Sequence, residues 1–233
     1  MEVVTIIQAR MSSTRLPGKV MLDLGGKPVL QHVVERARAA GVGPVVVATG
    51  AHPRNNPIGE WRGASGTMCV AIEGDEGDVF GRFRAVVEPL QARAFARVTS
   101  DCVLLEPDVL RALVERMEHA GLDYIDGTHR AGFCEGIGAE IVRTRPFMEI
   151  VPETLTPEER EHVSVGLPGR WEGRCGMLEP ADDLRRPYKL SLDTQEDYNR
   201  LRMIFGIHGP TPDTRYVLRW LDGRPELQGR VER

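Results

Sequence analysis

The sequence predicts an α/β fold in three layers, a doubly wound and mainly parallel sheet with helices on both faces. Three observations predict it. Short apolar, β-branched runs recur through the first half, at residues 3–7, 45–49, 68–72 and 95–99. They are continuous instead of alternating, the pattern of strands buried on both faces. Helical patterns lie between them, and strand–helix–strand at this spacing closes through right-handed crossovers.

Each element has its own signal. Val3 to Ile7 forms the first strand. In 29–40, Val29, Val33 and Ala37 form one stripe with Leu30 and Val34 beside it, while Glu35, Arg36 and Arg38 face water. Strands at 45–49 and 68–72 follow, then a helix over 79–90 and a strand over 95–99. A helix over 108–120 is opened by Pro107 and ended by Gly121. The second half is less regular. It reads as a strand, a loop with Gly132, Gly136 and Gly138, a strand over 139–143 and a short helix. Thr156-Pro157-Glu158-Glu159 is a helix start with a carboxylate three residues after the cap. Tyr188 to Leu192 reads as a strand, Asp193 or Thr194 caps a helix to about residue 205, and a last helix covers 211–221. No repeat or low-complexity linker divides the chain. Residues 1–233 read as one domain, with a small β-rich insertion at about 122–170.

Composition narrows the class. Of 233 residues, 41% are hydrophobic and 27% charged, ordinary for a globular protein, and no apolar run is long enough to cross a bilayer. The net charge of -4 argues against a protein that coats nucleic acid, while leaving room for a small basic pocket. Cys69, Cys102, Cys134 and Cys175 form no close pair, so reduced thiols are expected. The first apolar run begins at Val3, too early to follow a secretory leader, which predicts a cytoplasmic protein. Neither a membrane nor a nucleic acid is expected as a partner.

The most informative stretch follows the first strand: Gln8-Ala9-Arg10-Met11-Ser12-Ser13-Thr14-Arg15-Leu16-Pro17-Gly18-Lys19. It gathers three cations, three hydroxyls and a Pro-Gly turn at a strand's carboxyl end, where open α/β sheets bind ligands. Arg10, Arg15 and Lys19 together can neutralise much of a triphosphate, with loop N–H groups and hydroxyls on its oxygens. The spacing matches neither a Walker loop nor the dinucleotide fingerprint. A merely solvated basic loop is the competing reading.

The wording of that stretch and of 20–37 resembles the sugar-activating cytidylyltransferases, among them the CMP-KDO and CMP-sialic acid synthetases. The likeness is nearest to the SpsF-like group of spore-coat and surface polysaccharides. It continues in the same order through VVVAT, GDEGDVFGRF, RVTSDCVLLEP, EREHVS and LSLDTQEDY, and so covers most of residues 2–205. The resemblance implies a Rossmann-type fold like that of the nucleotide-diphospho-sugar transferases. It implies CTP as co-substrate, held by Arg10, Ser13, Arg15 and Lys19, with Gln8 and Ala9 lining the base pocket and Arg82 near the base or phosphates. Lys19, Arg10 and Asp101 would be the catalytic residues. Asp101 and Asp193 correspond to the family's Mg2+ carboxylates, and two strand-end carboxylates converging on one hard cation suit that role. The plainer readings are that Asp193 caps the helix after it, Asp101 makes a turn and Asp78 caps a helix with Arg82 paired to it.

On the acceptor side the resemblance implies Glu140, Arg160 and His162. His162 would orient the acceptor or act as a base, or serve only as a structural hydrogen-bonder. Three departures fall mostly on that side. Val103 stands where the family often has proline, Gly138 where close relatives usually have an acid, and 51–66 lacks an acidic helix start. The reaction expected is Mg2+-dependent transfer of CMP from CTP to a sugar acid or another small phosphate, phosphonate or hydroxyl acceptor, releasing pyrophosphate. A glycosyltransferase would need an Asp-x-Asp motif, which the chain lacks. A nucleotide-binding protein with decayed chemistry is the non-enzymatic alternative. Relatives also suggest a homodimer joined through residues 122–170.

Overall fold

A computed structural model describes residues 2–231; the remaining three residues of the predicted domain lie outside it. The first half alternates as expected. Its elements are β1 (Val3–Gln8), a hairpin of β2 (Asp23–Leu24) and β3 (Lys27–Pro28), α1 (Val29–Ala39), β4 (Val45–Gly50), α2 (Asn56–Ser65), β5 (Met68–Ile72), α3 (Val79–Leu90), β6 (Ala94–Thr99) and α4 (Pro107–Ala120). Then follow β7 (Tyr124–Asp126), β8 (Glu140–Arg143), α5 (Thr144–Met148), α6 (Pro157–His162), α7 (Leu167–Arg170), β9 (Cys175–Met177), α8 (Gln195–His208) and α9 (Thr214–Leu221).

Seven strands form one sheet in the order β5-β4-β1-β6-β8-β7-β9. The β5, β4, β1 and β6 strands are parallel, and β8 runs antiparallel to both β6 and β7. Strands β8, β7 and β9 of the second half therefore extend the same sheet. Both faces are covered, which explains the continuous apolar runs. Val3 and Ile7 point into a core shared with α1, α4, α8 and α9, while Val4 and Ile6 point into a second core with Phe80, Phe83, Phe95 and Phe147.

The helix ends are chemically specified. Asp78 caps α3 by accepting from Gly81 N, and Gly121 closes α4 at φ 63°. Thr156 with Glu159 and Thr194 with Asp197 form capping boxes on α6 and α8.

Two sequence expectations need correction. Residues 188–192 form no strand and, among the described residues, make one bridge, Glu135 to Lys189. The backbone of this segment divides its bonds among Glu135, Asp101 and Gln228, so no single neighbour can build a ladder. The last helix starts at Thr214, because Asp213 caps it by accepting from Tyr216 N.

One register positions the site. Gln8 of β1 lies beside Thr99 of β6, so the two central strands end level. The loop leaving β1 and the turn carrying Asp101 therefore rise side by side at the carboxyl edge of the sheet.

Candidate active site

The basic loop is folded back on itself. Gly18 at φ 72° turns the chain, with Gly18 N donating to Met11 O at 2.9 Å. Asn55 fastens the loop from outside by accepting from Met11 N at 2.9 Å, while its amide donates to Gly50 O and Glu76 Oε1. The turn drops Lys19 inward. Its Nζ donates to Asp101 Oδ2 at 2.9 Å, Asp193 Oδ1 at 2.9 Å and Leu192 O at 2.6 Å, so three oxygens take its three protons.

Asp101 and Asp193 meet because Leu192 N donates to Asp101 O at 3.1 Å, docking the chain before α8 against the turn after β6. Thr99 Oγ1 donates to Asp101 Oδ1 at 2.5 Å and fixes that carboxylate. Burial pulls the Lys19 pKa down, but the two aspartates outweigh it and raise it above the ordinary lysine value. Burial likewise raises Asp193, yet Lys19 and Lys189 hold it below the carboxylate range.

Among the described residues no three His, Cys, Asp or Glu side chains gather as a metal site. Two carboxylate oxygens both 2.9 Å from one cation nevertheless form a suitable donor pair, with the ammonium as stand-in ion. Mg2+ beside phosphate is commonly held by one or two carboxylates, the other positions going to phosphate and water. The residues fit such a group.

A cavity of about 300 Å3 opens over this point, lined by Gln8, Ala9, Arg10, Ser13, Arg15, Lys19 and Arg82. Arg10 reaches Glu76 O at 3.4 Å and Glu161 Oε1 at 3.3 Å. Arg82 is buried and donates to Glu76 O at 3.0 Å, while Asp78 caps α3 without pairing with it. Burial and the neighbouring Arg10 keep the Arg82 pKa below the ordinary guanidinium value. Gln8 Oε1 is a buried acceptor with no partner.

A second cavity of about 300 Å3 adjoins the first, and Thr99, Asp101, His162 and Asp193 line both. Its wall includes Glu140, 1% exposed, which accepts from Arg97, Arg130, Tyr124 and Ser164. Burial pushes the Glu140 carboxyl up, and the Arg97 and Arg130 guanidiniums outweigh that, leaving it below the usual value. His162 ends α6. The next residue, Val163, sits at φ 55° and ψ -57°, and Ser164 N donates back to His162 O. This is a strained γ-turn in a β-branched residue, and it sets His162 and Ser164 on the same wall.

Arg160 departs from the sequence expectation. It lines neither cavity, because its guanidinium donates to Asp78 Oδ2 at 3.3 Å and Pro152 O at 2.6 Å, tying α6 to α3. Sequence reasoning also missed residues that shape the site: Asn55 and Glu76 under the loop, Arg97 on β6, and Lys189 with Asp197 behind Asp193. The period-2 placement of Arg97 and Thr99 on β6 was the one available signal for Arg97.

With this geometry in view, the chain can be compared with known proteins. The sequence profile of a family described as cytidylyltransferase matches residues 4–140. The chain is 29% identical over 222 residues to the spore coat polysaccharide biosynthesis protein SpsF of Bacillus subtilis, covering 91% of this chain and 90% of that protein. It is 36% identical to the 3-deoxy-manno-octulosonate cytidylyltransferase of Serratia proteamaculans, but over 50% of this chain and 47% of that enzyme. A solved cytidylyltransferase structure from Leptospira borgpetersenii superposes with a TM-score of 0.88 at 23% identity, covering 100% of this chain and 99% of that one. CMP-2-keto-3-deoxy-manno-octonic acid synthetase complexed with CTP superposes at 0.67 and 20% identity, covering 89% and 99%. These two structures share the fold.

Proposed function

Because the chain belongs to the cytidylyltransferase family and is therefore a CTP-dependent nucleotidyltransferase, we propose that it transfers CMP from CTP to a small acceptor and releases pyrophosphate. The triphosphate lies in the cavity of Arg10, Ser13, Arg15 and Lys19, and the acceptor in the adjoining one. The observation that carries this assignment is Lys19 Nζ, bonded to Asp101 and Asp193 where the two cavities meet. An acceptor oxygen entering from one cavity faces a phosphorus held in the other, the arrangement an in-line displacement needs.

Lys19 and Arg10 donate to phosphate oxygens as charge develops, and Gln8 Oε1 offers the base an unused acceptor. Asp101 and Asp193 would hold Mg2+, which when bound supplies positive charge to the phosphate and lowers the pKa of a coordinated oxygen. His162 orients the acceptor from the shared wall. The relatives named for polysaccharide biosynthesis and for 3-deoxy-manno-octulosonate cytidylyl transfer support a sugar acid as the acceptor. A crystal grown with CTP and Mg2+ tests the placement. The triphosphate is expected within hydrogen-bond reach of Arg10, Ser13 and Lys19; a nucleotide bound elsewhere overturns it. Pyrophosphate release with CTP and a panel of sugar acids, phosphates and phosphonates then identifies the acceptor.

A further inference from the structure

Lys189 is a buried cation that the chemistry above leaves without a role. It is 7% exposed, and its Nζ lies 3.0 Å from Asp197 Oδ2 and 3.1 Å from Asp193 Oδ2. Arg200, also buried, donates to Asp197 Oδ1 and to Lys189 O. Two buried cations thus surround Asp197, whose single charge balances only one of them. Asp193 supplies the second negative charge, and a buried cation without one is strongly unfavourable.

The two oxygens of Asp193 are used differently. Lys189 holds Oδ2 from the buried side, while Oδ1 faces the cleft, 2.9 Å from Lys19 and 3.3 Å from Arg15. The Asp193 backbone is fixed by its own N–H, which donates at 3.0 Å to Asp197 Oδ2, the oxygen that also accepts from Lys189. Asp197 therefore sets where the backbone stands, and Lys189 sets how the carboxylate is turned.

Resting on the assignment of Asp101 and Asp193 to a divalent cation, we propose that Lys189 is a positioning residue for nucleotidyl transfer. It turns Asp193 so that one oxygen, Oδ1, is presented at the point shared with Asp101 Oδ2. It also leaves Asp193 counter-charged when a phosphate draws Lys19 away. Arg200 pins the start of α8 through the same Asp197 but does not touch Asp193, so it separates a structural contribution from a positioning one.

The test uses Mn2+ as probe, with the full-length protein, CTP present and no acceptor. Free Mn2+ is followed by electron paramagnetic resonance, and CTP binding in EDTA by calorimetry. Lys189→Met should weaken Mn2+ binding by about 10- to 100-fold, the usual loss when a ligand's supporting partner is removed. CTP binding in EDTA should be unchanged, and Lys189→Arg should recover most of the Mn2+ affinity. Arg200→Met should lower the unfolding temperature without changing Mn2+ affinity. Asp193→Asn should weaken Mn2+ at least as much as Lys189→Met. Wild-type Mn2+ affinity in Lys189→Met beside a loss in Asp193→Asn overturns the role of Lys189 alone. Wild-type affinity in both overturns the metal assignment and this inference with it. An equal loss in Arg200→Met also overturns it, by making the effect structural. Should Lys189→Met not fold, Lys189→Gln is measured identically, and wild-type Mn2+ affinity there overturns the proposal.

Discussion

The two adjoining cavities hold their charges in opposite ways. On the loop side Lys19 is gripped by three oxygens, but the two arginines at its rim are lightly held: Arg15 has a side chain 52% exposed, and Arg10 makes bonds of only 3.3 and 3.4 Å. On the other side Arg97 and Arg130 are fastened to Glu140, which is 1% exposed and also takes two hydroxyl protons. Loosely partnered cations can leave their carboxylates for an incoming polyanion at little cost. Cations locked around a buried carboxylate cannot, so they define shape. The lesson is that the arginines at the rim of one cleft are placed to exchange their partners, while those of the other are placed to keep them.

The largest effect should come from breaking the locked side. Glu140→Ala leaves Arg97 without its buried counter-charge, while Arg130 keeps Asp126 at 2.8 Å, and should cost about 3–5 kcal/mol of stability, read from urea unfolding. A loss no greater than that of a surface variant would show that the network is not locked. Lys19→Ala tests the loop side at its base. Turnover should fall about 100- to 1,000-fold, as when a charge-stabilising donor is removed, with a much smaller change in unfolding temperature. Turnover near wild type would remove Lys19 from the chemistry.

Acid should separate a third group, the anchor behind Asp193. Burial raises the Asp197 carboxyl, but Lys189 and Arg200 bring it down to about 2 from an ordinary 3.8. A carboxyl depressed on folding stabilises the native state above its unfolded pKa, and that stability is lost as pH falls through the folded value. About 2 kcal/mol should therefore disappear between pH 4 and pH 2, and Asp197→Asn should flatten that part of the stability–pH curve. An unchanged curve would mean the carboxylate is not held by those cations. The smallest effect is Thr156→Ala, which removes the α6 cap and should cost about 1 kcal/mol in chemical denaturation. Because α6 carries His162 at its far end, acceptor affinity should weaken more than CTP affinity; the reverse would place α6 on the nucleotide side.

Much of the fold was legible because its signals are local. The ends of α3 follow from Asp78 and a run of apolar positions, and those of α4 from Pro107 and Gly121. The parallel core followed from strands apolar on both faces. Residues 188–192 misled because a strand-like sequence reads the same whether its backbone joins a ladder or is shared among three neighbours. Arg160 misled because a cation near a motif carries no sign of which carboxylate will claim it, and Asp78 did. Lys189 went unnoticed for the same reason: a lone lysine inside a strand-like segment normally reads as solvated.

Sequence alone determined the α/β class, the order of most elements, the capped helix starts and the basic loop, since each depends on residues close in the chain. Family likeness to ordered motifs singled out Asp101 and Asp193. Only the tertiary structure decided that both carboxylates would close on Lys19, that Glu140 would be sealed between two arginines, and that Lys189 would stand behind Asp193. Those pairings join segments far apart in the chain, and side-chain charge has no periodicity that could announce its partner before the backbone brings them together.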